Sequence, residues 1–216
     1  MPEQYGQLEK KLLRQKKTIA GIDEVGRGAL AGPVYAGAAI LDYAKLFAMK
    51  KEERHLIRDS KSLNRAQREK ARLLVESIAL CSATACAEIE EIEEIGIHKA
   101  SFLAMHRALA KLSIPFDVLL IDGKYPLSHY DSEQISIIGG DASCFSIAAA
   151  SILAKETRDI LMREHAKLYP AYGFETHVGY ATSKHLEAIE ELGACSLHRK
   201  TFEPIKSLLS NELVGH

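Results

Sequence analysis

Thr18-Ile19-Ala20-Gly21-Ile22-Asp23-Glu24-Val25-Gly26-Arg27-Gly28 decides how this chain is read. Residues 18–23 form a short apolar run of the kind a buried strand needs, and it ends on two adjacent acids. Carboxylates in an apolar setting either take up a proton or hold a cation. A hard divalent ion bound by one or two carboxylates is the usual solution where the substrate brings phosphates. Gly26 and Gly28 let a second backbone or a ligand approach the same spot. Side chains alternate between the faces of a strand. Asp23 and Glu24 are therefore expected to serve one site only if the strand stops at Asp23 and Glu24 swings round.

Outward from this stretch, 34–41 reads as a second strand rich in small residues. Asn64 with Gln67 three positions on is a capping-box signature for a helix over 65–79. A strand over 82–89 follows, then a helix over 97–112 with Ala100, Leu103, Ala104, Ala108 and Leu112 on one face. Strands over 116–121 and 135–138 each run into an acid beside glycine, Asp122-Gly123 and Gly140-Asp141. A long helix over 145–169 begins with SIAAASILA, whose small residues predict tight packing on a sheet. Helices over 183–192 and 204–213 close the chain. The segment AYGFETHVGYAT before them is too long for a simple turn and reads as functional.

The order of elements predicts an α/β core of about five strands with a helical C-terminal appendage. Net charge is −1, from 28 basic and 29 acidic residues, so any nucleic-acid surface must be local. The basic candidates are Lys10, Lys11, Arg14, Lys16 and Lys17, and a C-terminal set of Lys184, His198, Arg199, Lys200 and Lys206. Cys81, Cys86, Cys144 and Cys195 have no metal-like spacing and read as reduced thiols of a cytoplasmic protein. No secretion signal or stretch suited to a membrane span is expected.

Three strands ending in acid predict one rim of carboxylates, because ligands of open α/β sheets gather beyond strand ends. Asp23, Glu24, Asp122 and Asp141 are the candidates for both metal binding and catalysis. Taken singly, Asp122 reads equally as an Asp-Gly turn and Asp141 as a helix cap. Asp159 competes with Asp141. It lies about 20 Å along the helix at about 1.5 Å per residue, and so is expected to pair on the helix surface with Lys155 or Arg163. Such a rim, holding two Mg²⁺ or Mn²⁺ ions, suits phosphodiester hydrolysis.

Ala20 to Gly28 with Leu30-Ala31-Gly32-Pro33 closely resembles the opening of the ribonuclease HII (type 2 ribonuclease H) family. The resemblance continues through Asp59-Ser60-Lys61-Ser62-Leu63, Asp122-Gly123-Lys124, Gly140-Asp141 and Ala148 to Lys155. It then takes in Thr157-Arg158-Asp159, His177 to Thr182, His198-Arg199 and Phe202-Glu203-Pro204. It spans about 18–206. It implies a ribonuclease H-like mixed sheet flanked by helices: a catalytic domain over 1–170, with 1–17 as a helical extension, and a substrate-binding helical subdomain over 171–216.

The resemblance implies cleavage of the RNA strand of RNA–DNA hybrids, and cutting 5′ of single ribonucleotides in duplex DNA to leave 3′-hydroxyl and 5′-phosphate ends. Gly26, Arg27 and Gly28 would contact the ribose 2′-OH, Lys61 a phosphate, and Tyr180 the following sugar. By residue type alone, Lys61 is equally a solvated helix entry, and Tyr180 a core aromatic. Gly139 and Val178 stand where the family often has basic residues, which removes potential phosphate contacts. A monomer without an obligate protein partner and without membrane attachment is expected. Two rivals stay open: a structure-selective DNA nuclease using the same acids, and a hybrid-binding protein without catalysis.

Overall fold

The computed structural model describes residues 5–58 and 63–214, apart from the side chains of 211–214. In chain order the elements are α1 (Gln7–Arg14), β1 (Ile19–Val25), β2 (Val34–Leu41), α2 (Tyr43–Ala48), α3 (Lys51–Arg58), α4 (Arg65–Ile78), β3 (Ala79–Ala87), α5 (Ile89–Ile95), α6 (Ile97–Ala110), β4 (Val118–Asp122), β5 (Glu133–Ile137), α7 (Phe145–Leu168), α8 (Phe174–His177), α9 (Ser183–Leu192) and α10 (Ile205–Val214). The strands form one mixed sheet in the order β3-β2-β1-β4-β5. β1, β2 and β3 pair antiparallel, whereas β4 and β5 run parallel to β1.

Alternation along the strands builds two cores. Ile19, Leu41, Val118 and Leu120 meet Ile147, Ala148 and Ile152 of α7 on one face. On the other, Ala20, Ile22, Ala36 and Ile121 meet Ala100, Ala104, Met105 and Ala108 of α6. The small residues of SIAAASILA allow α7 to lie very close to the sheet. A Cβ placed on Gly21 would stand 2.2 Å from the Ser146 backbone, and one on Gly37 2.2 Å from the Ala150 carbonyl oxygen. These contacts fix α7 across β1 and β2. A third core joins Leu30 and Ala31 to Met162 and Ala166 of α7 and to Phe174, Val178, Ile189, Leu197 and Ile205.

The capping box of α4 forms as expected, with Asn64 Oδ1 accepting from the Gln67 N–H at 3.0 Å and the Gln67 side chain returning the bond to the Asn64 N–H. One expectation about the strands fails. β1 does not stop at Asp23: Glu24 and Val25 pair with Ala36 and Tyr35, because antiparallel β2 offers partners to the end of the strand. The segment 171–182 is partly regular, with a 3-10 turn over Pro170–Tyr172 and then α8. Helices α2, α3 and α5 were not expected. α2 starts on Asp42, whose carboxylate accepts from the N–H groups of Ala44 and Lys45 at 3.0 and 3.1 Å.

Candidate active site

The pairing of β1 with β4 runs to Ile22↔Ile121, so the next register step sets Asp23 beside Asp122. Neighbouring strands lie about 4.8 Å apart, and equivalent residues point to the same face. Both acids therefore stand at the strand ends under α7. Past Ile22 the β4 side of β1 is open, and the Glu24 N–H donates to Asp23 Oδ1 at 2.7 Å. Ser151 of α7 lines the same cavity and favours the charged form of Asp23. Burial, followed by the Asp122 charge, pushes the Asp23 carboxyl well above the usual carboxylate range, and the Glu24 charge adds to this. Burial also raises Glu24, opposed by the Arg27 guanidinium 2.8 Å from its Oε1.

A cavity of about 380 Å³ opens at this point, lined by Asp23, Glu24 and Asp122, by Gly26, Arg27 and Gly28, and by Arg68, Ser151, Lys155 and Tyr180. Seven of the nine sequence-predicted site residues thus line one cavity. The regular strand still delivers both Asp23 and Glu24, because the open end of β1 admits side chains from either face. Asp141 is buried outside the lining, in the 3-10 turn Gly140–Ala142. Its neighbour Gly140 donates its N–H to Asp122 Oδ1 at 2.6 Å, which ties the turn to the end of β4. Asp141 is not the cap of α7; that position belongs to Cys144. Lys61 lies outside the described residues.

The loop between β1 and β2 is held by two buried arginines. Arg158 donates to the carbonyls of Pro33, Val178 and Ala31 at 2.8–2.9 Å. Arg199 donates to those of Gly32, Arg27 and Gly26 at 2.7–2.9 Å. Burial, then the Arg158 charge, lowers the Arg199 pKa to about 9. Gly26 has φ 89°, and a Cβ there would stand 2.3 Å from Arg158 Nε, so only glycine fits. Gly28 is different: a Cβ on it would meet nothing within 4 Å. Its bare backbone faces the open cavity.

Tyr180 is only partly buried, with Lys155 Nζ 5.7 Å and the Arg158 guanidinium 5.4 Å from its ring centre. It lines the cavity while also packing against the third core.

Three polar cavity residues were missed from the sequence as site residues: Arg68, Ser151 and Lys155. Ser151 and Lys155 are one helical turn apart on the face of α7 that the small residues press toward the sheet, a signal present in the spacing. Arg68 pairs with Glu156 at 2.9 Å, a contact across 88 residues that no local pattern announces. Asp159 pairs with Lys155 at 2.6 Å as expected, but it is buried and not on the helix surface. It also lies 4.0 Å from Arg68, so tertiary packing of α4 on α7 encloses the pair. His198 and Arg199, expected on a basic surface, are fully buried because the third core closes over them.

Among the described residues, no three His, Cys, Asp or Glu side chains stand as a ready-made metal cage. The donor chemistry nevertheless fits a hard divalent cation. The acids offer only oxygen, their repulsion leaves Asp23 in need of a positive partner, and the cavity is open to solvent.

Acids at parallel strand ends beneath a closely packed helix define a nuclease of the ribonuclease H fold. Ribonuclease H2 from Pyrococcus horikoshii OT3 superposes with a TM-score of 0.75 at 24% identity, over 90% of this chain and 98% of that one. Bst-RNase HIII, solved in complex with Mn²⁺, gives a TM-score of 0.69 at 20% identity over 90% of this chain and 70% of that one. The family model for ribonuclease HII matches residues 20–205. Ribonuclease HII of Endomicrobium trichonymphae is 45% identical over 192 residues, covering 89% of this chain and 88% of that protein. The Chlamydia pneumoniae protein is 46% identical over 202 residues, covering 93% and 90%. The chain belongs to the ribonuclease HII family and is a type 2 ribonuclease H, an endonuclease acting on RNA.

Proposed function

We propose that this enzyme hydrolyses the RNA strand of RNA–DNA hybrids and cuts 5′ of single ribonucleotides embedded in duplex DNA, leaving 3′-hydroxyl and 5′-phosphate ends. The observation that carries the reading is the shared cavity: Asp23 and Asp122 at adjacent strand ends, facing the bare backbone of Gly28. The 2′-OH is the group that distinguishes RNA from DNA, and it both donates and accepts. Backbone groups of Gly26, Arg27 and Gly28 read it, since Arg158 and Arg199 hold that loop rigid against the rest of the fold.

Asp23, Glu24, Asp122 and Asp141 hold two Mg²⁺ or Mn²⁺ ions, an assignment supported by the oxygen-only donor set and by the Mn²⁺ complex of Bst-RNase HIII. Such ions supply an activated water and stabilise the leaving oxygen. The Lys155 ammonium, held by Asp159, places positive charge at the edge of the cavity for a substrate phosphate. The Tyr180 ring, steadied by Lys155 and Arg158, packs on the sugar after the ribonucleotide. Residues 171–216 act as a substrate-binding subdomain through Tyr180 and through Arg199, which anchors the recognition loop. The enzyme works as a monomer on duplex substrates.

End-labelled duplexes test the reading: all-DNA, DNA with one ribonucleotide, and a long RNA–DNA hybrid, each with Mg²⁺, Mn²⁺ or EDTA. Metal-dependent cleavage 5′ of the single ribonucleotide is expected, with all-DNA left intact. Equal cutting of all-DNA duplex would replace this reading with a general DNA nuclease. Binding without cleavage in either metal would replace it with a hybrid-binding protein.

A further inference from the structure

Helix α7 carries Ser151 and Lys155 into the cavity, yet its own cap residue Cys144 makes no side-chain bond to the first turn. The cap comes from 136 residues away. Glu9 of α1 accepts from the Phe145 N–H at 3.0 Å and from the Ser146 N–H at 2.8 Å. It also accepts from the hydroxyls of Ser146 at 3.0 Å and Tyr43 at 2.8 Å. Glu9 is fully buried, and each of these four partners is a donor, so the carboxylate is matched to the positive end of the helix.

The residues before Glu9 continue the contact. The Gly6 N–H donates to the Ser143 carbonyl at 2.8 Å, and the Tyr5 hydroxyl to the Asp141 carbonyl at 3.2 Å. The Tyr5 ring packs edge-on against Phe145, with centroids 4.6 Å apart. Residues 5–9 therefore engage Asp141, Ser143, Phe145 and Ser146 along one side. On the other side Asp122 holds the Gly140 N–H. The turn bearing Asp141 is clamped between β4 and the N-terminal arm.

We infer that Tyr5 and Glu9 are positioning residues for metal binding: the N-terminal arm sets Asp141 in the orientation it needs as a ligand. The inference rests on the reading of Asp141 as a metal-binding acid. Groups one step removed from a metal typically tune affinity by about 10- to 100-fold. A buried carboxylate is a costly cap unless every lone pair is used, and an arm that served only to close α7 would have no need to reach back to Asp141.

Calorimetric titration of Mn²⁺ alone into the full chain tests this, beside melting curves and the Mn²⁺ dependence of cleavage. Asp141→Asn and Tyr5→Phe are each expected to weaken Mn²⁺ binding, the latter by about 10-fold, the low end of such effects. Tyr5→Phe should add nothing in an Asp141→Asn background. Glu9→Gln, which turns a donor toward the helix N–H groups, should raise the Mn²⁺ needed for cleavage while leaving KM for the hybrid unchanged at saturating Mn²⁺. Wild-type Mn²⁺ affinity in Tyr5→Phe and Glu9→Gln, with lowered melting temperatures, would reduce the arm to a cap and overturn the inference. Wild-type affinity in Asp141→Asn would instead remove Asp141 from the ligand set.

Discussion

Replacing Asp122 by Asn is expected to stabilise the metal-free protein while it abolishes cleavage. Asp122 and Asp23 occupy adjacent register positions, about 4.8 Å apart by strand spacing. Two unit charges at that distance repel by about 3.5 kcal/mol at an effective dielectric of about 20. Solvent in the open cavity and partial proton uptake by Asp23 reduce this to about 1–2 kcal/mol. For a chain of this size, each kcal/mol shifts the melting temperature by about 2–4 °C. The variant should therefore melt about 2–8 °C above wild type in EDTA. The amide oxygen of Asn keeps the bond from the Gly140 N–H, so the gain reflects charge and not packing. Added Mn²⁺ should favour wild type, since a ligand bound only to the folded state stabilises it. Thermal melts at pH 8, with EDTA and then Mn²⁺, measure both effects. A melting temperature in EDTA at or below wild type would refute the paired-charge geometry.

Three further outcomes are expected. Gly26→Ala should cost stability, because its Cβ meets Arg158 and φ is positive, whereas Gly28→Ala should fold normally and lose single-ribonucleotide cleavage; a Gly28 variant with full activity would remove that backbone from recognition. Arg199→Lys cannot reach three carbonyls at once, so a loss of about 2–4 kcal/mol and a larger fall in cleavage are expected, checked by denaturant titration beside rate measurements. His177, His185 and His198 are buried against one another, with the His185 and His198 Nε2 atoms 3.1 Å apart. Burial lowers all three pKa values, that of His185 to about 4. Below about pH 6.5 the unfolded chain takes up protons that the folded chain refuses, so stability should fall as pH drops from about 6.5 toward 4. His185→Phe should flatten that slope, and an unchanged slope would assign the acid sensitivity elsewhere.

Local signals carried the sheet and much of the site. The apolar run into Asp23, the Asn64–Gln67 box and the small residues of SIAAASILA each act within a few positions, and each appears in the fold. Interactions between distant segments stayed hidden. Glu9 gives no sign in the sequence that it caps α7, and Arg158 and Arg199 look like ordinary basic residues until the carbonyls they hold are in view. The strand end was misread for the same reason: continuation to Val25 depends on β2, which the run itself does not contain. Asp159 was assigned its partner correctly from the four-residue spacing, but its burial comes from Arg68 on another helix.

The two guanidinium clamps carry a consequence for synthesis. The strands that bear Asp23 and Asp122 are made first, but the notch beside them depends on Arg199, 173 residues beyond Gly26. A nascent polypeptide still short of that residue is expected to have its acids without an ordered 2′-OH reader. Truncation before residue 199 should give a product unable to tell a ribonucleotide from its deoxy neighbour. On the reading proposed above, discrimination therefore waits until Arg199, 172 residues beyond Arg27, has been made.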